Sequence, residues 1–390
     1  MSTAPLARDP DLSRLLDDGY DVVVQAGHLI IRHIPYVTEA LAIEYGFLAY
    51  PVTVSGDRIV SGTDHRIWFG GSAPCDEHGR KLGMANPETR AIADGLQASY
   101  MLSSKPSPAG YPDEYTKVTT YARIIAHQAQ AIDPSVTAAP GAAWQEIDDD
   151  TPFAYRDTAT SRAGLAAVNR RYRGQRIAIA GLGGTGSYIL DQVAKTEVDT
   201  ILLIDGDTFD NHNAFRAPGA PALGTLRSRP NKAAHFASVY SNMHRGITAI
   251  EEYLDEGNLD VLSGTTFAFL ASDDAAGKPV IMDWLEARDV PFIDVGMGID
   301  EADGRLGGLL RVTTSLPGRR EQARQRIPVP APERDDYGRN IQTADLNALN
   351  ALLAVIRWKR HLGIYPDLTG EGFITYSLTA NEIANEDLLP

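Results

Sequence analysis

Residue types and spacing first suggest chemistry at Gly181-Leu-Gly-Gly-Thr-Gly186, between an apolar run at 177–180 and an apolar-faced stretch that follows. Gly181, Gly183, Gly184 and Gly186 permit a tight turn and close approach of backbone to a ligand. The free N–H groups and dipole of a following helix attract phosphate. Asp205 closes the next strand-like run, at a spacing suited to hydrogen-bonding a ribose hydroxyl. Residue 187 is Ser with no lysine before it, so this is not the Gly-x-x-x-x-Gly-Lys-Ser/Thr loop. On these residues alone NAD and ATP fit equally well. Cys75, in Ser-Ala-Pro-Cys-Asp-Glu-His-Gly with His65 and His78 near it, is the only cysteine and a candidate thiol nucleophile. An imidazolium beside it would favour the thiolate, and Asp76 and Glu77 would oppose it. A metal site at His65, Cys75 and His78 lacks a fourth ligand.

The elements that must position the glycine loop follow from pattern. From residue 156 the chain alternates strand-like and helical runs: strands at 176–180, 200–204, 267–271, 291–295 and 308–313, helices at 187–195, 231–243 and 343–361. That alternation predicts an α/β fold, a Rossmann-like, mostly parallel sheet with helices on both faces. Residues 317–339, dense in Arg, Pro and Glu, read as a mobile loop. Residues 1–135 read as a smaller α+β domain. Runs at 22–24 and 29–34 form a hairpin, 47–54 and 67–69 add strands, and 86–102 and 114–131 show helical spacing, with Pro87 near the start of the first. Residues 136–155, Pro- and Ala-rich and then acidic, read as a linker before a domain at 156–390.

Composition narrows the classes. A formal net charge of -15 opposes non-specific binding to nucleic acid or to an anionic membrane surface. One cysteine excludes an intramolecular disulfide and any paired Cys-x-x-Cys zinc site, so no zinc is expected. With no apolar signal core and no membrane-length apolar run, the expected location is cytoplasmic.

Five elements in order resolve the choice of nucleotide. Behind the Gly-x-Gly-Gly-x-Gly loop come Asp205-Gly-Asp207, Asn213-Ala-Phe-Arg216, Lys232 and Asp273. This series resembles the ThiF/MoeB/HesA superfamily, which includes the ubiquitin-activating enzymes, over roughly residues 156–361. The resemblance implies an ATP- and magnesium-dependent adenylyltransferase. Asp205 would hold the ribose, with Asp207 beside it; Asn213, Arg216 and Lys232 would hold phosphates, and Asp273 the magnesium. Arg162 would serve the nucleotide of a second subunit, which implies a homodimer. Lys278 stands where the family often has Arg, and Ala217 where it often has Gln.

The implied substrate is the C-terminal glycine carboxylate of a ubiquitin-like or sulfur-carrier protein. A peptide's terminal carboxylate has a pKa near ~3.5 and is already a nucleophile at neutral pH, so no general base is needed. The demand is electrostatic: an anion attacks a polyanion, and Arg216, Lys232 and a metal at Asp273 would offset the charge. The family's downstream cysteine is absent, so the adenylate passes to a conjugating or acceptor protein, or Cys75 receives it. The N-terminal domain would recruit a partner or only stabilise the core. Two readings compete. An NAD-dependent oxidoreductase leaves Arg216, Lys232 and Asp273 without roles, and a non-catalytic binding module would give no pyrophosphate exchange. Singly, each residue also has a plain reading: Lys232 as a surface lysine, Asp273 and Asp274 as helix caps, Asp205 and Asp207 as turn residues.

Overall fold

The computed structural model describes residues 9–55, 58–60, 64–144, 151–163, 165–272, 274, 276–328 and 341–387. The chain forms two compact units, Met1–Thr151 with Tyr155–Gly164, and Pro152–Ala154 with Leu165–Pro390. No helix among the described residues is long and apolar enough to cross a membrane.

The first unit opens with α1 (Pro10–Asp17), whose first N–H groups bond to the Asp9 carboxylate at 3.0 and 3.2 Å. An antiparallel sheet follows: β1 (Asp21–Gln25), β2 (His28–Val37), β3 (Ile43–Pro51), β6 (Ile67–Gly70), β7 (Ala85–Ala93) and β8 (Leu96–Leu102), in the order β1-β2-β3-β6-β8-β7. A separate hairpin joins β4 (Thr53–Ser55) to β5 (Arg58–Val60). The predicted first hairpin is present, turning at Ala26-Gly27 with φ of 48° and 72°, the left-handed pair that matches strand twist. The sheet packs on α1 and on α2 (Glu114–Ile132) through Leu12, Leu15, Val118, Tyr121 and Ile125.

Residues 86–102 are not a helix but the β7–β8 hairpin, turning at Asp94-Gly95 with Gly95 at φ 74°. Pro87, read as a helix-start residue, lies on the sheet's edge strand, where a missing N–H costs no ladder bond.

The short helix α3 (Thr158–Ala163) belongs to the first unit, and α4 (Ala166–Asn169) to the second. Its sheet and helices run β9 (Arg176–Ala180), α5 (Gly184–Val193), β10 (Thr200–Ile204), α6 (Asn211–Ala214), α7 (Leu223–Ser228), α8 (Lys232–Tyr240), β11 (Ile247–Ile250), β12 (Phe267–Leu270) and α9 (Gly277–Ala287). They continue with β13 (Phe292–Ala302), β14 (Arg305–Ser315), α10 (Arg320–Arg326), α11 (Ala344–His361), β15 (Phe373–Ser377) and β16 (Glu382–Glu386). The eight strands lie in the order β11-β10-β9-β12-β13-β14-β15-β16. The first five are mutually parallel and the last three add antiparallel.

Side chains alternate between two cores, as strand geometry requires. Ile177, Ile179, Ile201 and Leu203 pack with α5, α8 and α11, whereas Ala178, Ala180, Leu202 and Ile204 pack with α9 and Ile327. The α/β sheet with helices on both faces is therefore as expected. The stretch read as a loop at 317–339 contains α10, anchored by Arg324 on Asp283 and Glu286 and by Arg326 on Glu386 and Asp387. Residues 329–339 of that stretch lie outside the described residues.

Candidate functional site

At the carboxyl ends of the parallel strands the second unit opens a cleft of about 850 Å³, within the 300–1,000 Å³ range typical of ligand sites. Its floor is the glycine loop. Gly181 has φ 90°, and a Cβ there would lie 2.6 Å from the Ser272 backbone N. A Cβ on Gly186 would lie 1.8 Å from the Gly181 carbonyl oxygen, so β9 can meet α5 this closely only with glycine at both places. Gly183 caps α5 with no side chain, leaving the helix's first N–H groups free of a side-chain cap. Gly181, Gly183 and Gly184 line the cleft; Gly186 lies in the packed first turn. Asn347 of α11 fixes that turn from the side, accepting from the Thr185 hydroxyl at 2.8 Å and packing against Gly184.

Asp205, at the end of β10, is 8% exposed and accepts from the N–H groups of Leu182 at 2.6 Å and Asp207 at 2.8 Å. Burial raises its pKa, outweighing the opposing pull of Lys232 and the two N–H groups. Lys232 begins α8 behind the cap residue Asn231, which also donates to the Asp205 carbonyl at 2.8 Å. A lysine in such a first turn is ordinarily solvated, yet Lys232 is 7% exposed. Its ammonium is 2.6 Å from an Asp207 oxygen and 3.9 Å from Asp205. Tyr253 donates to the other Asp207 oxygen. Burial pushes the Asp207 carboxyl up, but Lys232 and Tyr253 outweigh it and hold it below the usual range.

Arg216, half-buried, lines the cleft as Lys232 does. Asn213 is among the buried residues and does not line the cleft; its Oδ1 accepts from the Asp210 N–H at 2.9 Å. Ala217 points into the core. Asp273 lies outside the described residues. Asp274 lines the cleft and accepts from the Ala276 N–H at 3.0 Å, at the start of α9. Arg162 falls in α3, with its side chain outside what is described. Among the described residues no group of three or more His, Cys, Asp or Glu side chains could hold a metal ion.

Cys75, the candidate thiol nucleophile, does not offer an accessible thiol: it is 1% exposed, packed with Val37 and Ala129 and joined by backbone β-bridges to Val37 and Lys81. Burial pushes its thiol pKa up, helped by Glu39 and Asp76 and opposed by Lys81, which disfavours a thiolate.

Sequence reasoning missed two residues that hold Lys278 at the cleft, Asp294 and Arg311. Asp294 of β13 is fully buried and forms ion pairs with Lys278 of α9 at 2.8 Å and with Arg311 of β14 at 2.8 Å. Lone charges inside the apolar runs Phe-Ile-Asp-Val and Leu-Leu-Arg-Val were the available signal, because a charge inside a buried strand needs a partner.

The ThiF family model matches residues 156–334, and a domain of unknown function (DUF6791) matches residues 10–158. No curated protein matches by sequence. Among solved structures, E. coli MccB with MccA-N7isoASN is similar at 16% identity and TM-score 0.46, covering 59% of this chain and 72% of that one. E. coli MccB with ATP gives 16% and 0.44, covering 59% and 71%. PaaA gives 18% and 0.39, covering 56% and 75%.

Proposed function

Residues 156–334 form a ThiF-family segment, and on that premise we propose that the cleft binds ATP and adenylates a carboxylate, releasing pyrophosphate. The substrate under this reading is the C-terminal glycine of a ubiquitin-like or sulfur-carrier protein. One observation carries it: a nearly buried lysine, Lys232, lines one cleft together with Arg216, Asp205 and the uncapped start of α5. Asp207 holds the Lys232 ammonium in place at the cleft, and such a pre-positioned cation is suited to a polyphosphate.

Asp205 accepts from the ribose, and the first N–H groups of α5 receive phosphate. Lys232, held at the wall by Asp207, and Arg216 offset the charge that shifts onto leaving pyrophosphate. The carboxylate is ionised at neutral pH and attacks without a base.

Magnesium bound to nucleotides takes one or two protein carboxylates beside phosphate oxygens and waters, and the carboxylate of Asp274 at the cleft wall fits that modest requirement. Asp273 and Asp274 are the residues to hold it; the ion would supply charge neutralisation. Arg162 acting on a second copy's nucleotide, and with it a homodimer, belongs to the same proposal.

Titration with MgATP against NADH, then ATP–pyrophosphate exchange with small glycine-ending proteins, tests the reading. Exchange that depends on the added protein supports it. Tight NADH binding that needs no metal would favour an oxidoreductase instead.

A further inference from the structure

Two cations that line the cleft, Lys278 and Arg311, share one carboxylate, Asp294. Among the described residues Asp294 is the one carboxylate within ion-pair range of Lys278 or Arg311, which leaves one positive charge in excess. Arg311 is fixed: it also donates to the Thr313 hydroxyl at 2.9 Å and the Arg326 carbonyl at 3.3 Å, and it packs over Gly296. Lys278, 7% exposed, has Asp294 as its one described partner for three N–H donors, and it lines the cleft. An excess charge so nearly buried points to an anion that arrives with the ligand.

Which anion follows from the two faces of the sheet. Lys232 starts α8, which packs on one face; Lys278 lies in the first turn of α9, which packs on the other. In-line displacement at phosphorus requires entering and leaving oxygens on opposite sides. If Lys232 and Arg216 receive the leaving pyrophosphate, the nucleophile enters from the wall of Lys278.

We propose that Lys278, oriented by Asp294 and Arg311, binds the substrate's attacking carboxylate. This rests on the adenylation reading above and extends it to the second reactant. One carboxylate oxygen bonds to the α-phosphorus, the bond from that phosphorus to the oxygen bridging to the β-phosphorus breaks, and pyrophosphate leaves with the electron pair. No proton moves.

The test uses the full chain with a non-hydrolysable ATP analogue and magnesium, titrated with a short peptide ending in Gly-Gly as the free acid and as its C-terminal amide. The acid is expected to bind and the amide to bind roughly ten- to a hundredfold more weakly, the size of one charged hydrogen bond. Lys278→Gln is expected to abolish that preference with the analogue's affinity unchanged, and Lys278→Arg to retain it. Matching melting curves and circular dichroism would show that the variants fold.

Equal binding of acid and amide, no binding of the acid, or an unchanged preference in Lys278→Gln would overturn the proposal. So would a Lys278→Gln that weakens the analogue itself, which would assign the charge to phosphates. A wild-type chain that fails to bind the analogue at all sinks the adenylation reading separately.

Discussion

Lys232 shows how much one residue's surroundings decide. In sequence it is a lysine at a helix start; in the fold it is nearly buried, ion-paired to Asp207 and placed at the cleft wall. Lys232→Ala and Arg216→Ala are each expected to lower ATP–pyrophosphate exchange by about two orders of magnitude, by analogy with loss of a single charge-stabilising donor. Circular dichroism should report an unchanged fold for Arg216→Ala. Lys232→Ala leaves Asp207 without its cation, so a lower Tm is expected there as well. The ordered series from Gly181 to Lys232 was legible because each residue sits at or just beyond a strand end, where spacing along the chain tracks position in space. Asp294 and Arg311 were not, because they meet only through strand register, Gly296 opposite Arg311, across a hairpin. Asn213 was placed by resemblance among the phosphate ligands and is found capping α6 from within.

Elements carry the next level of control. The glycine loop holds its shape because β9 and α5 approach too closely for a Cβ. Gly186→Ala should therefore destabilise the second unit by about 1–3 kcal/mol, the cost of overpacking, measurable by urea unfolding. Asn347 reaches the same turn from α11 and also donates to the Thr343 carbonyl at 3.0 Å. Asn347→Ala should loosen the turn and weaken ATP-analogue binding in a calorimetric titration, by up to about tenfold for one lost buried hydrogen bond. Most strands and helices of this unit were legible from apolar periodicity. The strands missed, β11, β15 and β16, are short, the first two only partly buried and the last exposed throughout, so apolar runs do not mark them. The hairpin at 85–102 was misread because its apolar residues also fit a helical period, and Asp94-Gly95 carried the decisive turn chemistry.

At the scale of the second unit, three histidines are expected to make stability depend on acid. His235, His244 and His361 all have pKa values lowered, chiefly by burial. His244 is fully buried, its Nε2 2.9 Å from the Val198 carbonyl, and its Nδ1 accepts from the Gly246 N–H, which assigns the neutral tautomer. For a group whose folded pKa lies below its unfolded value near 6.5, the unfolded chain binds more protons in the window between them. Stability is then present above that unfolded pKa and is lost as pH falls through it. Tm should therefore drop as the buffer is taken from about pH 7 to about pH 5. His244→Asn should lower Tm at neutral pH but flatten that fall. An equally steep fall in the variant would assign the acid sensitivity to other groups.

The buried Cys75 has a kinetic consequence under the adenylation reading. A mixed anhydride formed in the second unit would find no accessible sulfhydryl on its own chain, so turnover would wait for a separate acceptor molecule. Mixed with its substrate and ATP but no acceptor, the protein should release about one equivalent of pyrophosphate per cleft in a burst and then slow to the rate of hydrolysis or product escape. Its mobility in denaturing gels should be the same with and without reductant, whereas a band that reductant collapses would show that the sulfur is reached after all.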